Sequence, residues 1–295
     1  MHTSINTTVL MSDAEYFDDG YAINPFMGGS EQVNISQAIS EHNLLTNTLK
    51  QIGVAVLQVP APPRLQDGVY TANWGLVRGD KAVLSSLPTS RQGEQPYAKQ
   101  ALENLGKTIY EVPRGLKFSG QGDALPCGNY LFCGSGYRTD SEVHPFLAET
   151  LGYETITLQT IPLLDAGGKP AANAISGWAD SYFYDLDLAL AVLKFPADNQ
   201  KGLIAWCPDA FLPESRDRLR EFDGVDKIEV SFTEAKEAFA CNLVSTGSYV
   251  VMSASAPNLR AAIDVHGLQT IPLAMPQLAK GGGFIRCTTL TLDNI

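Results

Sequence analysis

Residues 101–113 read "ALENLGKTIYEVP". Ala101, Leu102 and Leu105 fall at helical spacing, Gly106 stops the helix, "TIYE" reads as a short strand, and Val112-Pro113 turns the chain away. The same phrase returns as "LLTNTLKQIGVAVLQVP" (44–60), "FLAETLGYETITLQTIP" (146–162) and "LRAAIDVHGLQTIPL" (259–273). A helix ending in glycine followed by a strand cannot bury its apolar face alone. Its recurrence every few tens of residues predicts stacked or radially arranged α/β units.

The rest of the chain fits that reading. Further strand-like runs are "GLVRGDKAVLS" (75–85), "NYLFCGSG" (129–136), "LALAVLKF" (188–195), "GLIAWCP" (202–208), "KIEVSFT" (227–233) and "SYVVMSA" (248–254). Helical runs include "LPESRDRLREFDG" (212–224) and "TEAKEAFAC" (233–241). Proline and glycine are spread through turns and no linker interrupts the pattern, so a single domain over 1–295 is expected.

At 295 residues, 44% of them apolar, the chain has enough material for a full core. A net charge of −11 argues against nucleic acid or an anionic membrane as partner and favours the approach of a cation. No apolar run reaches the ~18 residues of a membrane span, and the first residues do not form a secretory leader, so a cytoplasmic protein is expected. The five cysteines include no CxxC pair and no histidine at finger spacing, which points to buried thiols rather than disulfides or zinc.

Chemistry is expected where polar residues and glycines follow strands. Such segments are "INPFMGG" (23–29), "DGVYTANWGLV" (67–77), "SRQGE" (90–94), "FSGQGDALPCG" (118–128), "GSGYRTD" (134–140), "FYDLDLAL" (183–190), "CNLVSTG" (241–247) and "AKGGGFIRCTTLTL" (279–292). Singly each is more often a turn than a site. The last carries Cys287 in a β-rich run after three glycines, which let backbone approach a ligand. A free cysteine is by default a small buried hydrophobe, and this one has a glycine-rich approach that the other four lack.

In their joint order these segments resemble the guanidino-group-modifying superfamily of arginine deiminases, arginine dihydrolases, dimethylarginine dimethylaminohydrolases and amidinotransferases. The resemblance runs from Asn24 to Thr291. It implies a five-bladed α/β propeller (pentein fold) with the site in a central channel, and Cys287 as the nucleophile that attacks a guanidinium carbon. It also implies Asn24, Asn73, Asp123 and Asp187 as contacts of the substrate, with Arg91 and Arg138 holding its carboxylate. The partner is then a small guanidino compound, arginine or a methylarginine, and no cofactor or metal is required. A homo-oligomer stays open.

Two positions depart from the family pattern. Asp185 stands where a histidine precedes Leu-Asp, and Ser119 stands where a glutamate precedes the Gly-Asp of "FSGQGD". In the family scheme thiolate attack expels ammonia or an alkylamine, and water then cleaves the thiouronium. An aspartate beside the thiol raises its pKa by repulsion and lacks an imidazolium's proton. Three readings follow: a hydrolase in which a proton-bearing Asp185, hydrogen-bonded to Ser119, replaces the histidine; a guanidine-binding relative without turnover; or a chain in which Asp185 was introduced.

Overall fold

The structure, a computed structural model, describes residues 4–29, 31–197 and 200–294. Its strands and helices follow the repeated phrase. In the first blade β1 (Thr8–Met11) leads through α1 (Ile35–Gln51) to β2 (Ala55–Gln58). The second holds β3 (Gly75–Arg78), β4 (Lys81–Leu84), α2 (Gln95–Asn104) and β5 (Thr108–Glu111), and the third β6 (Ala124–Cys127), β7 (Tyr130–Ser135), α3 (Val143–Leu151) and β8 (Glu154–Gln159). The fourth is built of β9 (Leu190–Lys194), β10 (Gly202–Trp206), α4 (Pro213–Glu221) and β11 (Val225–Glu229). After α5 (Phe232–Glu237), the fifth runs β12 (Val244–Ser245), β13 (Tyr249–Ser253), α6 (Pro257–Val265) and β14 (Gln269–Leu273). Helix α7 (Pro276–Ala279) and β15 (Leu290–Thr291) end the described chain.

Each blade is a three-stranded sheet. Its middle strand pairs antiparallel with the inner strand and parallel with the outer one, as between β3, β4 and β5. A parallel partner needs a crossover, and the helix of each phrase supplies it. The first blade takes its inner strand from the far end of the sequence: β15 pairs antiparallel with β1 through Val9↔Thr291 and Leu10↔Leu290. Inner strands of neighbouring blades then meet in turn, β15 with β3, β6 with β9 and β9 with β12. Between β3 and β6 the contact runs through the 3₁₀ turn Gly120–Gly122. Asn6 closes the ring by donating to Ser245 O and accepting from Thr291 Oγ1. This is a five-bladed α/β propeller.

Four phrases are visible in the sequence because Gly53, Gly106, Gly152 and Gly267 all take positive φ just after their helices. The fifth, α4 to β11, lacks this stop, because the residue capping α4 is Phe222 in an extended conformation. The run after the triple glycine also differs from its expected strand. Only Leu290–Thr291 is strand, and Cys287 lies in a preceding turn. All five cysteines are buried free thiols. Of the four histidines, His144 and His42 are buried and His266 is exposed; His2 lies outside the described residues. Among the described residues no helix is long and apolar enough to cross a membrane.

Candidate active site

The turns that enter the inner strands carry the site. Asn73 precedes β3, Ser119 and Asp123 precede β6, Asp185 and Asp187 precede β9, Asn242 precedes β12, and Cys287 precedes β15. Every blade thus delivers polar side chains to the same end of the ring. The three glycines before Cys287 clear space for side chains. A Cβ at Gly281 would collide with the Tyr70 hydroxyl, one at Gly282 (φ +83°) with Asn24, and one at Gly283 would lie 2.5 Å from the Tyr70 ring. The glycines therefore answer Tyr70 and Asn24, where a direct approach to ligand was expected. Asn24 Nδ2 donates to Gly281 O at 2.9 Å and Tyr184 Oη to Gly282 O at 2.6 Å, pinning the turn.

Cys287 is 2% exposed. Asn242 holds it twice: its Oδ1 accepts the Cys287 N–H at 3.1 Å, and its Nδ2 lies 3.1 Å from Sγ. The thiol in turn points to Asp187 Oδ2 at 3.4 Å. Burial pushes the thiol pKa well up, and the carboxylates of Asp187 and Asp185 push it further.

Asp185 and Asp187 are both fully buried. Asp185 Oδ2 accepts from Asn73 Nδ2 at 2.8 Å, and Asp187 Oδ2 accepts from the thiol. The other oxygen of each carboxylate, Oδ1, has no partner. Asp187 is raised well above the usual carboxylate range by burial and by Asp185. Asp123 accepts the Leu186 N–H at 2.9 Å and is pushed up to about 8 by burial and the nearby Asp185. Gly122 is required here: a Cβ would stand 2.5 Å from Asn73 Nδ2 and 2.7 Å from Asp185 Oδ2.

Two expectations change. Arg91 does not offer an open fork to a carboxylate. Its Nε and Nη2 bind Glu94 at 2.7 and 2.8 Å, its Nη1 donates to Asn73 Oδ1 at 2.8 Å, and the whole side chain is buried. Ser119 is joined to Asp185 only through Asn73, whose Nδ2 reaches Ser119 Oγ at 2.9 Å and Asp185 Oδ2 at 2.8 Å. Arg138 is placed differently. Among the described residues it forms no ion pair, donating Nη2 to Ile23 O at 2.8 Å and lying 4.2 Å from the centre of the Tyr184 ring.

Sequence reading passed over Asp67, Tyr70, Tyr184, Asn242 and Arg286. Asp67 is buried and pushed up to about 6, chiefly by that burial, with Arg91 and Arg138 opposing the rise. Among the described residues no imidazole takes the vacant role: His144 is engaged by Thr157 Oγ1 at 2.8 Å and Gly134 O at 3.0 Å. Among the described residues no cluster of metal-ligating side chains occurs.

Residues 18–165 match the family N,N dimethylarginine dimethylhydrolase, eukaryotic. The N(G),N(G)-dimethylarginine dimethylaminohydrolase of Mycobacterium tuberculosis is 30% identical over 96% of this chain and 84% of its own length. The chain belongs to the guanidino-group-modifying superfamily. Another member, the bifunctional arginine dihydrolase/ornithine cyclodeaminase AgrE of Nostoc sp., is 33% identical over 95% of this chain. The chain spans only 37% of that relative's length. The superfamily fold is matched by the N-terminal domain of ArgZ, a cyanobacterial arginine dihydrolase solved with its substrate, at a TM-score of 0.83 and 29% identity, covering 97% of this chain and 98% of that domain. A Pseudomonas aeruginosa dimethylarginine dimethylaminohydrolase solved with citrulline, 19% identical with a TM-score of 0.73 over 97% of this chain and 99% of its own, shares the fold.

Proposed function

We propose that the five blades act as one domain that binds an arginine-like guanidino compound on its axis and hydrolyses a guanidinium C–N bond with Cys287 as nucleophile. The observation that carries this reading is the pair of unpartnered, buried oxygens, Asp185 Oδ1 and Asp187 Oδ1, beside a thiol. Buried carboxylate oxygens call for hydrogen-bond donors, and a guanidinium supplies several in one plane together with the missing positive charge. Arg138 is suited to the ligand's carboxylate and Asp67 to an ammonium, which describes an α-amino acid. Because each orphan oxygen wants an N–H, unmethylated arginine fits better than dimethylarginine.

In this reading the entering cation favours transfer of the Cys287 proton to Asp187. The thiolate forms a C–S bond to the guanidinium carbon, and the C=N electron pair moves onto nitrogen. The Asp187 carboxyl returns its proton to the leaving amine as the C–N bond breaks, leaving a thiouronium. Water then attacks the same carbon, the C–S bond breaks, and a ureido product is released with Cys287 reprotonated. A buried carboxyl with raised proton affinity can hold and release this proton where relatives of the resemblance use histidine.

A second reading, binding without turnover, is favoured by the two aspartates that oppose ionisation of the thiol. Intact-mass measurement during incubation with arginine, paired with an ammonia assay, tests the choice. A Cys287 adduct and ammonia release, both lost in Cys287→Ser, support the hydrolase. Saturable binding of arginine with neither supports the second reading, and no binding at all removes both.

A further inference from the structure

Arg286 lies immediately before the nucleophile, buried, and its guanidinium meets only neutral groups. Nη1 donates to Thr289 O at 3.0 Å and Thr291 Oγ1 at 3.1 Å, and Nη2 to Gln121 Oε1 at 2.8 Å. Among the described residues it forms no ion pair, and it lines a cavity farther along the inner strands β6 and β9. A cation held out of water without a paired carboxylate is costly unless anions answer it at longer range.

Those anions are in the site. Asp187 and Cys287 both act on Arg286, and Arg286 opposes the effects of burial, Asp185 and Asp123 on Asp187. The charge balance makes the pairing purposeful. Arg91 is neutralised by Glu94, and Arg138 stands apart from any ion pair. At the reacting end Asp187, with Asp185 and Asp123 near it, therefore has one resident cation acting on it, Arg286, and an entering guanidinium brings the second. Without Arg286, the entering guanidinium would face the clustered carboxyls alone, and Asp187 would hold its proton more tightly against the ligand.

We propose that Arg286 is the resident counter-charge of the guanidinium pocket, a positioning residue that offsets the carboxylates crowded around Asp187 and so eases loss of the Asp187 proton as the ligand enters. This rests on the reading of Asp187 as a guanidinium contact, but its test does not depend on turnover or on ligand. The groups that face Asp187 are Asp185, Asp123, Cys287 and Arg286, with the neutral Asn242 beside them.

The ligand-free protein is titrated by infrared spectroscopy, and the Asp187 carboxyl band is isolated by difference against Asp187→Asn. In Arg286→Met the band should persist to a pH higher by about 1–3 units, the effect of losing a nearby opposite charge. Arg286→Lys should stay close to the parent. Gln121→Glu sets a carboxylate on Nη2 while Arg286 stays in place, and it should shift the band in the same direction as Arg286→Met, so the test survives if the methionine variant does not fold. An Asp187 midpoint unmoved in Gln121→Glu and in any folded Arg286→Met overturns the proposal. If the midpoint moves as expected but the parent protein fails to bind arginine in calorimetry, this inference stands and the proposed function falls.

Discussion

Asn73 donates from Nδ2 to Asp185 Oδ2 at 2.8 Å while its Oδ1 accepts the Arg91 Nη1 proton at 2.8 Å. Arginine can only donate, so this contact fixes which way the Asn73 amide faces. Glu94 holds Arg91 through two bonds and also accepts from Trp74 Nε1 at 3.1 Å. A buried line Glu94, Arg91, Asn73, Asp185 thus runs from the second blade to the position where the family pattern has histidine. In the proposed function Arg91 acts on the guanidinium end of the pocket through Asn73, and Arg138 is left for the carboxylate end.

That division predicts the stability of Arg91 variants. Arg91→Met leaves Glu94 as a buried, unpaired carboxylate, and breaking a buried pair in this way costs ~3–5 kcal/mol. Arg91→Lys should recover only part of the loss, because an ammonium cannot reproduce the fork that spans Glu94 and Asn73. Urea denaturation measures both. A loss within ~0.5 kcal/mol, the range of an ordinary surface change, would contradict the buried line.

It also predicts how ligand preference changes. Arg138→Met should weaken arginine by tenfold or more, on the order of the 1.5–3 kcal/mol of a charged hydrogen bond, while agmatine, which lacks the carboxylate, is little affected. Calorimetry with both ligands on parent and variant checks this. Equal losses for the two would show that Arg138 does not receive the carboxylate.

The sequence made the propeller legible through its punctuation. The helix-glycine-strand phrase marks four blades, and α4 to β11 escaped because Phe222, rather than a left-handed glycine, ends its helix. The inner strands β12 and β15 are two residues long, too short for alternation to show. Within the site, Cys287 meets Asp187 across 100 residues of sequence, because each lies in a turn that enters an inner strand and the ring brings those turns together. Arg91 reads as an open fork in the sequence because its partner Glu94 is a surface-type residue by composition, and only the fold buries the pair. Asn242 had a readable signal: it stands two residues before β12, as Asn73 stands two before β3. Asp67 and Arg286 could not be weighed, since their importance lies in burial without full compensation, which no residue pattern prints.

The carboxyl shifts set a pH dependence. Asp67 is pushed up to about 6 and Asp123 to about 8, both above the ordinary 3.8 of an exposed aspartate. The folded protein therefore binds more protons than the unfolded chain between roughly pH 4 and pH 8. Stability from these groups is fully present below pH 4 and is lost as pH rises through 6 and then 8. In the proposed function a guanidinium replaces protons in this cluster, so arginine should raise the melting temperature more at pH 8 than at pH 6. Thermal melts with and without arginine across that range provide the check, and a ligand effect that shrinks with rising pH would exclude proton displacement.

The last prediction concerns Asp185 and Ser119 as a pair. Both are buried, both take a bond from the one Asn73 Nδ2, and no direct bond joins them. Asp185→His alone places an imidazole against Gly122 without the carboxylate at position 119 that would fix its tautomer and stabilise its cation, and it should raise ammonia release from arginine by little. Ser119→Glu alone adds another buried carboxyl beside Asp185 and Asp123, and it should slow whatever turnover exists and destabilise the fold. Together they form an imidazole-carboxylate couple next to Cys287, which lowers the thiol pKa and supplies an acid to the leaving amine. The double variant should then exceed the product of the single effects by ~10²-fold or more, the lower end of what a general acid contributes. A double-mutant cycle on the ammonia-release rate measures the coupling. If the parent chain is already fast and each change slows it without coupling, the buried carboxyls carry the proton transfers in their own right and an imidazole is not needed.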